Sequence, residues 1–230
     1  MPFRTIPPAP APSAAGFRRV IKRPVALTVL TLLLPVGAVR AGAVLVEDFE
    51  SPDTANFATY NAGELLVTAT NTWSVTSTGI DLYEAAARAE AAAFDGAQAV
   101  DLAGSPGAGV IETTFPTVVG QSYELVFHYA RNALLGLLTG DALVEVVGGS
   151  TLLQAQVQHD PALHAFDAYL QFRGSFTADV TVTTLRFTSL NPDNTGITLD
   201  GISIATTTAV GAGTEVEPST WGRLKGRFRD

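Results

Sequence analysis

The sequence predicts an all-β protein, an antiparallel β-sandwich or jelly roll. Three observations carry this. Apolar and polar residues alternate with a period of two in run after run. Val, Thr, Ile, Phe and Tyr fill those runs, while Gly, Asn, Asp and Pro separate them. The runs recur roughly every 8–12 residues, the spacing of short sandwich strands rather than of βαβ units.

The N-terminal segment reads as an address, not as fold. Arg18, Arg19, Lys22 and Arg23 precede an apolar run over 25–39, and a small-x-small AGA follows at 41–43. A basic region, an apolar run and a small-residue site in that order predict a signal peptide over 1–43. The apolar run contains Pro35 and is shorter than the ~20 residues a membrane-spanning helix needs. The expected organisation is therefore a signal peptide (1–43), one β-sandwich domain (44–206) and a flexible linker with a basic tail (207–230). The protein is expected to be secreted or held at the cell surface, with no stable membrane span after cleavage.

Within the domain, alternation predicts strands at 43–49, 64–70, 109–115, 122–130, 142–147, 151–157, 167–176, 179–190 and 196–205. In the 179–190 run the apolar set is Val180, Val182, Leu185 and Phe187. Its phase slips at Thr183–Thr184, which predicts a bulge. The Gly/Pro-rich stretch around 104–109 reads as a turn between strands. One segment dissents: YEAAARAEAAAF is rich in helix formers and has no β-branched residue, so a short helix is expected over 83–93.

Charge narrows the partners. The chain carries −8 overall, but every acid lies at or after Glu47 while six of the 14 bases lie at or before Arg40. Between Glu47 and Glu217 only Arg88, Arg131, Arg173 and Arg186 oppose 21 acids. Such a surface repels phosphate backbones, which argues against nucleic acid and favours neutral polymers or cations. There is no cysteine. Disulfides, thiolate zinc sites and thiol nucleophiles are excluded.

No catalytic motif emerges. Gly104, Gly107 and Gly109 are not followed by a helical pattern, so they do not form a dinucleotide loop. Neither GxxxxGK[ST] nor GxSxG occurs. His159 and His164 in HDPALH lack the one-face spacing of HExxH and read as a polar loop beside Asp160. No pair of acids, Asp101 and Glu112 included, can be matched from sequence. The expectation is a non-catalytic binding module. The alternatives are a structural or adhesive matrix protein without a sugar ligand, and an extracellular glycoside hydrolase with paired carboxylates in a deep acidic cleft. Sugar sites stack rings on aromatic faces with polar groups beside them. The candidate ligand-binding residues are Trp73, Tyr83 and Tyr129, with Arg131 and Asn132 as polar neighbours. For Trp73 and Tyr129 a core position is the competing reading.

The order of motifs also carries a resemblance. DFESP (48–52), NTWSVTSTGIDL (71–82), FDGAQAVDLAG (94–104), GAGVIETTFPTVVGQSYELVFHYARN (107–132), FRGSFTADVTVTTLRFTSL (172–190) and TGITLDGISI (195–204) follow one another. Together they resemble the choice-of-anchor C domains of exported bacterial proteins, which are similar to plant cell-wall proteins with galactose-binding-like domains. The resemblance spans nearly all of 44–205. It implies a galactose-binding-like jelly roll that binds extracellular polysaccharide or cell-wall glycan. It also implies a structural calcium held by Glu50 of the first strand region and Asp200 of the last strand. The tail, VEPSTW followed by RLKGRFRD, resembles a PEP-CTERM sorting signal from which the membrane helix is missing, with Val216 where its first proline is expected.

Overall fold

The computed structural model describes residues 42–87, 92–135 and 138–207. Residues 1–41 of the expected signal peptide and the tail from 208 lie outside them. Thirteen strands are described: β1 (Ala43–Glu47), β2 (Phe57–Asn61), β3 (Leu65–Val67), β4 (Thr72–Ser77), β5 (Gly79–Glu84), β6 (Gln98–Asp101), β7 (Val110–Pro116), β8 (Ser122–Arg131), β9 (Gly140–Val147), β10 (Thr151–His159), β11 (Leu170–Thr177), β12 (Val182–Ser189) and β13 (Ile197–Thr206). They form two antiparallel sheets. One runs β11-β8-β13-β6-β5-β2, with β1 also paired to β13. The other runs β10-β9-β12-β7-β4-β3.

Period-two burial explains the layering. In β9 the pattern is strict, with Ala142, Val144 and Val146 buried between half-exposed neighbours. The seven-stranded sheet turns Ile80, Leu82, Val100, Leu125, Phe127 and Leu199 inward. The six-stranded sheet answers with Trp73, Val75, Ile111, Val144, Leu185 and Phe187. The sheets meet where Phe127 of β8 packs edge-on against Phe187 of β12, centroids 5.0 Å apart at 84°. Each such buried side chain stabilises the fold by about 1.5–3 kcal/mol, which is how a chain without cysteine holds together. The outer face of the six-stranded sheet is polar. There Glu112 receives Arg186 Nε at 2.8 Å, and the Arg186 guanidinium also lies 3.9 Å from Glu145.

Two expectations are corrected. The helix over 83–93 does not begin: Tyr83 and Glu84 finish β5, and only a single 3-10 turn follows, Ala85–Ala87. Residues 88–91 lie outside the described residues. Tyr83 sits opposite both Phe57 and Ala99 in the sheet and is buried, so tertiary pairing overrides the local helix preference. The bulge at Thr183–Thr184 is also absent, because β12 runs against β7 in unbroken register from Val182 to Thr188. The inward set is Thr183, Leu185, Phe187 and Ser189. Thr183 is fully buried because its hydroxyl pairs with that of Thr117 at 2.9 Å. A partnered threonine took a position that the pattern assigned to valine.

Register shifts fall instead at β1, β4 and β10 and, in β13, between Asp200 and Ser203. Gly201 lies there with φ +56°, a conformation that glycine adopts without cost. Before it β13 pairs β6, and after it β1. The bulge lets one edge of β13 serve two partners while β8 holds the other edge.

Candidate functional site

Of the five expected ligand residues, Trp73 and Arg131 are buried and Tyr129 is half-buried. Trp73 is fully buried: the pleat of β4 turns it inward with Val75, between Phe49 at 5.7 Å and Phe187 at 6.3 Å. Tyr129 packs against the core beside Phe127, centroids 5.9 Å apart. Arg131 is buried at the end of β8. Trp73 is therefore a core residue, while Tyr129 packs against the core and stays half-buried.

Tyr83 and Asn132, by contrast, are brought together in a pocket of about 380 Å³ on the outer side of the seven-stranded sheet. Alternation builds its floor. Because Ile80 and Leu82 fill the core, their neighbours Asp81 and Tyr83 face outward. Because Val100 faces the core, Asp101 faces outward, and the register sets it directly opposite Asp81 and Thr198. Phe57 of β2 lies opposite Tyr83. Two connections wall the pocket: the segment after β8, with Asn132, Leu134, Leu135 and Leu138, and Asp193–Thr195 before β13. Phe57, Leu134 and Leu138 are 45%, 61% and 60% exposed, so the rim is apolar and open to solvent.

The polar groups of the floor are tied down. Asp101 accepts from the Ala103 amide at 2.9 Å and from Asn132 Nδ2 at 2.7 Å. Asn132 Oδ1 accepts from the Leu134 amide at 2.9 Å. Asp81 accepts from the Thr59 hydroxyl at 2.6 Å and the Ser105 amide at 3.3 Å. Burial pushes the Asp101 carboxyl up to about 6. The Ala103 amide and Asn132 pull against that, and the neighbouring Asp81 charge adds to it. Phe57, Asp81, Asp193 and Asn194 escaped the sequence reading, and Asp101 was noticed without a role. The available signal was an acid at an alternating position within the otherwise apolar strands GIDLYE and QAVD.

The expected calcium residues also meet. Glu50 lies close enough to Asp200 for its charge to act on it. Between them runs the segment after residue 91. Asp200 Oδ2 accepts from the amides of Phe94 at 2.8 Å and Asp95 at 3.0 Å, and Oδ1 from the Gly201 amide. Glu50 Oε1 accepts from the amides of Ala97 and Gln98, both at 2.8 Å. Five backbone amides thus converge on two carboxylates. Burial pushes Asp200 up to about 7 against those amides, with the Glu50 charge adding to the rise. The segment is pinned at its other end by the hydroxyls of Tyr83 and Tyr169, which both donate to the Ala92 carbonyl at 3.0 and 2.7 Å. Phe94 stacks on His128 at 3.5 Å. As a like-charge pair the two carboxylates suit a cation, but calcium takes six to eight oxygens. Among the described residues no group of three or more His, Asp or Glu stands ready to hold a metal.

The histidines of HDPALH are not both in a polar loop. His159 ends β10 fully buried, with Nε2 against the Ala168 carbonyl at 3.0 Å and its ring 5.4 Å from that of His164. A second, more open groove of about 510 Å³ follows Thr68, Thr70, Thr72, Thr113 and Thr114 and has no charged lining.

No protein-family model matches the chain, and no curated protein matches it. Among solved structures it is similar to a CBM22-1 xylan-binding domain from Paenibacillus barcinonensis Xyn10C, at 16% identity and TM-score 0.42, covering 75% of this chain and 99% of that one. It is similar to TmCBM61 in complex with β-1,4-galactotriose, at 12% identity and TM-score 0.44, covering 70% and 95%. It also matches the Arthrobacter globiformis T6 isomalto-dextranase complexed with panose, at 15% identity and TM-score 0.41. There it covers 66% of this chain but spans only 24% of that enzyme's length. The all-β sandwich assignment rests on the two paired sheets themselves. No helix among the described residues is long and apolar enough to cross a membrane.

Proposed function

We propose that the protein is a non-catalytic carbohydrate-binding module that takes an extracellular or cell-wall glycan in the pocket floored by Tyr83, Asp81 and Asp101. One observation carries this. An exposed aromatic face, Phe57, and an apolar rim stand over fixed hydrogen-bonding groups on rigid strands. Sugars need that combination of apolar face and oriented polar atoms. A binding role is favoured over hydrolysis because Asp101, one of the two facing carboxyls, has both oxygens held by protein donors, Oδ1 by the Ala103 amide and Oδ2 by Asn132. A general acid or nucleophile needs an oxygen aimed at the glycosidic bond.

Export follows from the leader over 1–43, and a choice-of-anchor-like domain with a degraded sorting tail would leave the protein released or at the cell surface. Calcium belongs to the same proposal: Glu50 and Asp200 would supply two of the six to eight oxygens it takes, with carbonyls or water supplying the rest, and it would screen their repulsion.

The test is thermal unfolding and calorimetry of the full chain with a polysaccharide panel, in calcium and in chelator. Binding raises the midpoint by mass action. A panel in which no glycan shifts the midpoint or gives heat overturns the binding proposal. Release of reducing ends from any bound glycan overturns the non-catalytic half. A midpoint that is the same in calcium and in chelator removes the metal.

A further inference from the structure

We propose that the pocket selects a cationic amino sugar, a glucosamine-type residue with a free ammonium group, over neutral and acidic sugars. The inference rests on the reading of the pocket as a glycan site.

Its ground is a count of donors and acceptors. Asp81, Asp101 and Asp193 all line the cavity, and no basic residue does. Three donors beside the floor are spent on these acids: Asn132 Nδ2 on Asp101, and the Thr59 hydroxyl and Ser105 amide on Asp81. The Asn132 carbonyl oxygen is likewise occupied by the Leu134 amide. A carboxylate offers about four lone-pair directions. Asp81 therefore keeps acceptor capacity in a cavity whose other polar side chains, Ser105, Asn194 and Thr195 among them, are neutral. A ligand that brings donors to these acceptors, and positive charge to a lining of three carboxyl groups and no base, is favoured. An ammonium does both, with three N–H donors in charge-assisted bonds. A neutral hydroxyl brings one donor and no charge. A uronate brings acceptors and negative charge to a site already filled with both. The apolar rim of Phe57 and Leu134 would receive the ring, which leaves the ammonium free to reach the floor.

The experiment is calorimetric titration of the full chain at pH 6 and low salt with four disaccharides: diglucosamine, its N,N′-diacetyl form, cellobiose and digalacturonate. Disaccharides avoid the avidity of a polycation on an acidic surface. Diglucosamine is expected to bind about tenfold more tightly than the neutral pair, the size of one charge-assisted hydrogen bond, and digalacturonate most weakly. Asp81→Asn should erase the preference. The charge-matched Asp179→Asn, at an exposed carboxylate holding the 148–150 turn, should keep it. Phe57→Ala should weaken the three non-acidic ligands alike. If Asp81→Asn fails to fold, the wild-type preference is followed in rising salt, where it should shrink.

Equal affinity for amino and neutral disaccharides overturns the selectivity and leaves the glycan site standing. So does a preference that Asp179→Asn abolishes as fully as Asp81→Asn. Tighter binding of digalacturonate overturns it outright. Heat from none of the four, on a chain that also ignores the polysaccharide panel, overturns the glycan site itself.

Discussion

The indole Nε1 of Trp73 donates to Glu47 Oε2 at 2.8 Å, in the interior of the protein. The same oxygen accepts from the Thr68 hydroxyl at 2.8 Å and from Asn71 Nδ2 at 2.9 Å, while Oε1 accepts from the Phe49 amide at 3.0 Å. One buried carboxylate thus ties β1 to the β3–β4 hairpin. An acid taken from water needs such compensation, and removing it strands every donor.

Glu47→Ala should therefore cost about 3–5 kcal/mol, and Trp73→Phe about 2–4 kcal/mol through lost volume and a lost hydrogen bond. Neither residue lines the pocket. Urea midpoints should fall while calorimetry on the folded fraction shows unchanged sugar affinity. A Trp73→Phe variant with native stability and no sugar binding would restore the role in ring stacking that the sequence offered.

Stability should fall as pH rises through the acid range. Asp101 and Asp200 are held at about 6 and about 7 in the fold, above the 3.8 of a free carboxyl. The folded state therefore keeps protons that the unfolded chain has released. Their stabilisation is complete below pH ~3.8. It declines by about 1.4 kcal/mol per pH unit for each group until its folded value is passed. His128 and His159 act oppositely, since burial lowers both. Comparison with Asp101→Asn and Asp200→Asn isolates the carboxylates: urea denaturation from pH 4 to 8 should show each variant losing one group's share of the slope. Identical slopes in wild type and variants would contradict the assignment.

Asp200→Asn should loosen the segment over 92–98. It replaces with a donor one of two oxygens that face the amides of Phe94, Asp95 and Gly201. Hydrogen exchange at Phe94 and Asp95 should quicken by about tenfold, the equivalent of one hydrogen bond. Exchange within β9 and β12 should be unaffected. Unchanged exchange at Phe94 and Asp95 would mean the stacking of Phe94 on His128 holds the segment by itself.

Gly104→Ala should damage both fold and pocket. A Cβ there would overlap the backbone of Ile80 and Asp81, so β5 must shift and carry Asp81 with it. The expected cost is about 1–3 kcal/mol, with weaker sugar binding. Gly63→Ala is the contrast. It meets nothing within 4 Å, and its φ is +91°, so strain alone costs about 1–2 kcal/mol and sugar binding is retained. Equal effects of the two variants on binding would separate the packing at Gly104 from the pocket.

The sequence by itself determined the two-layer β architecture, because burial on one face of a pleated strand writes itself as alternation. Stretches such as ALVEVV and SYELVFHYA were legible for that reason, and so was the acidic, cysteine-free character that narrows the partners. Tyr83 and Asn132, named from the sequence as candidates, line one pocket, and Glu50 and Asp200, paired by the family resemblance, lie near each other. Strands β2, β4 and β5 were not read, since outer-face residues such as the exposed Phe57 and the half-buried Asp81 blur the alternation. Only tertiary structure decided which aromatic rings are core and which face the pocket, because a ring's type does not reveal what the opposite sheet presents to it. It also turned the alanine-rich segment away from helix at Tyr83, which two neighbouring strands hold extended. Asp81 lies opposite Asp101 through the registry of strands twenty residues apart in the chain. Long-range pairing of that kind leaves no local mark in a sequence.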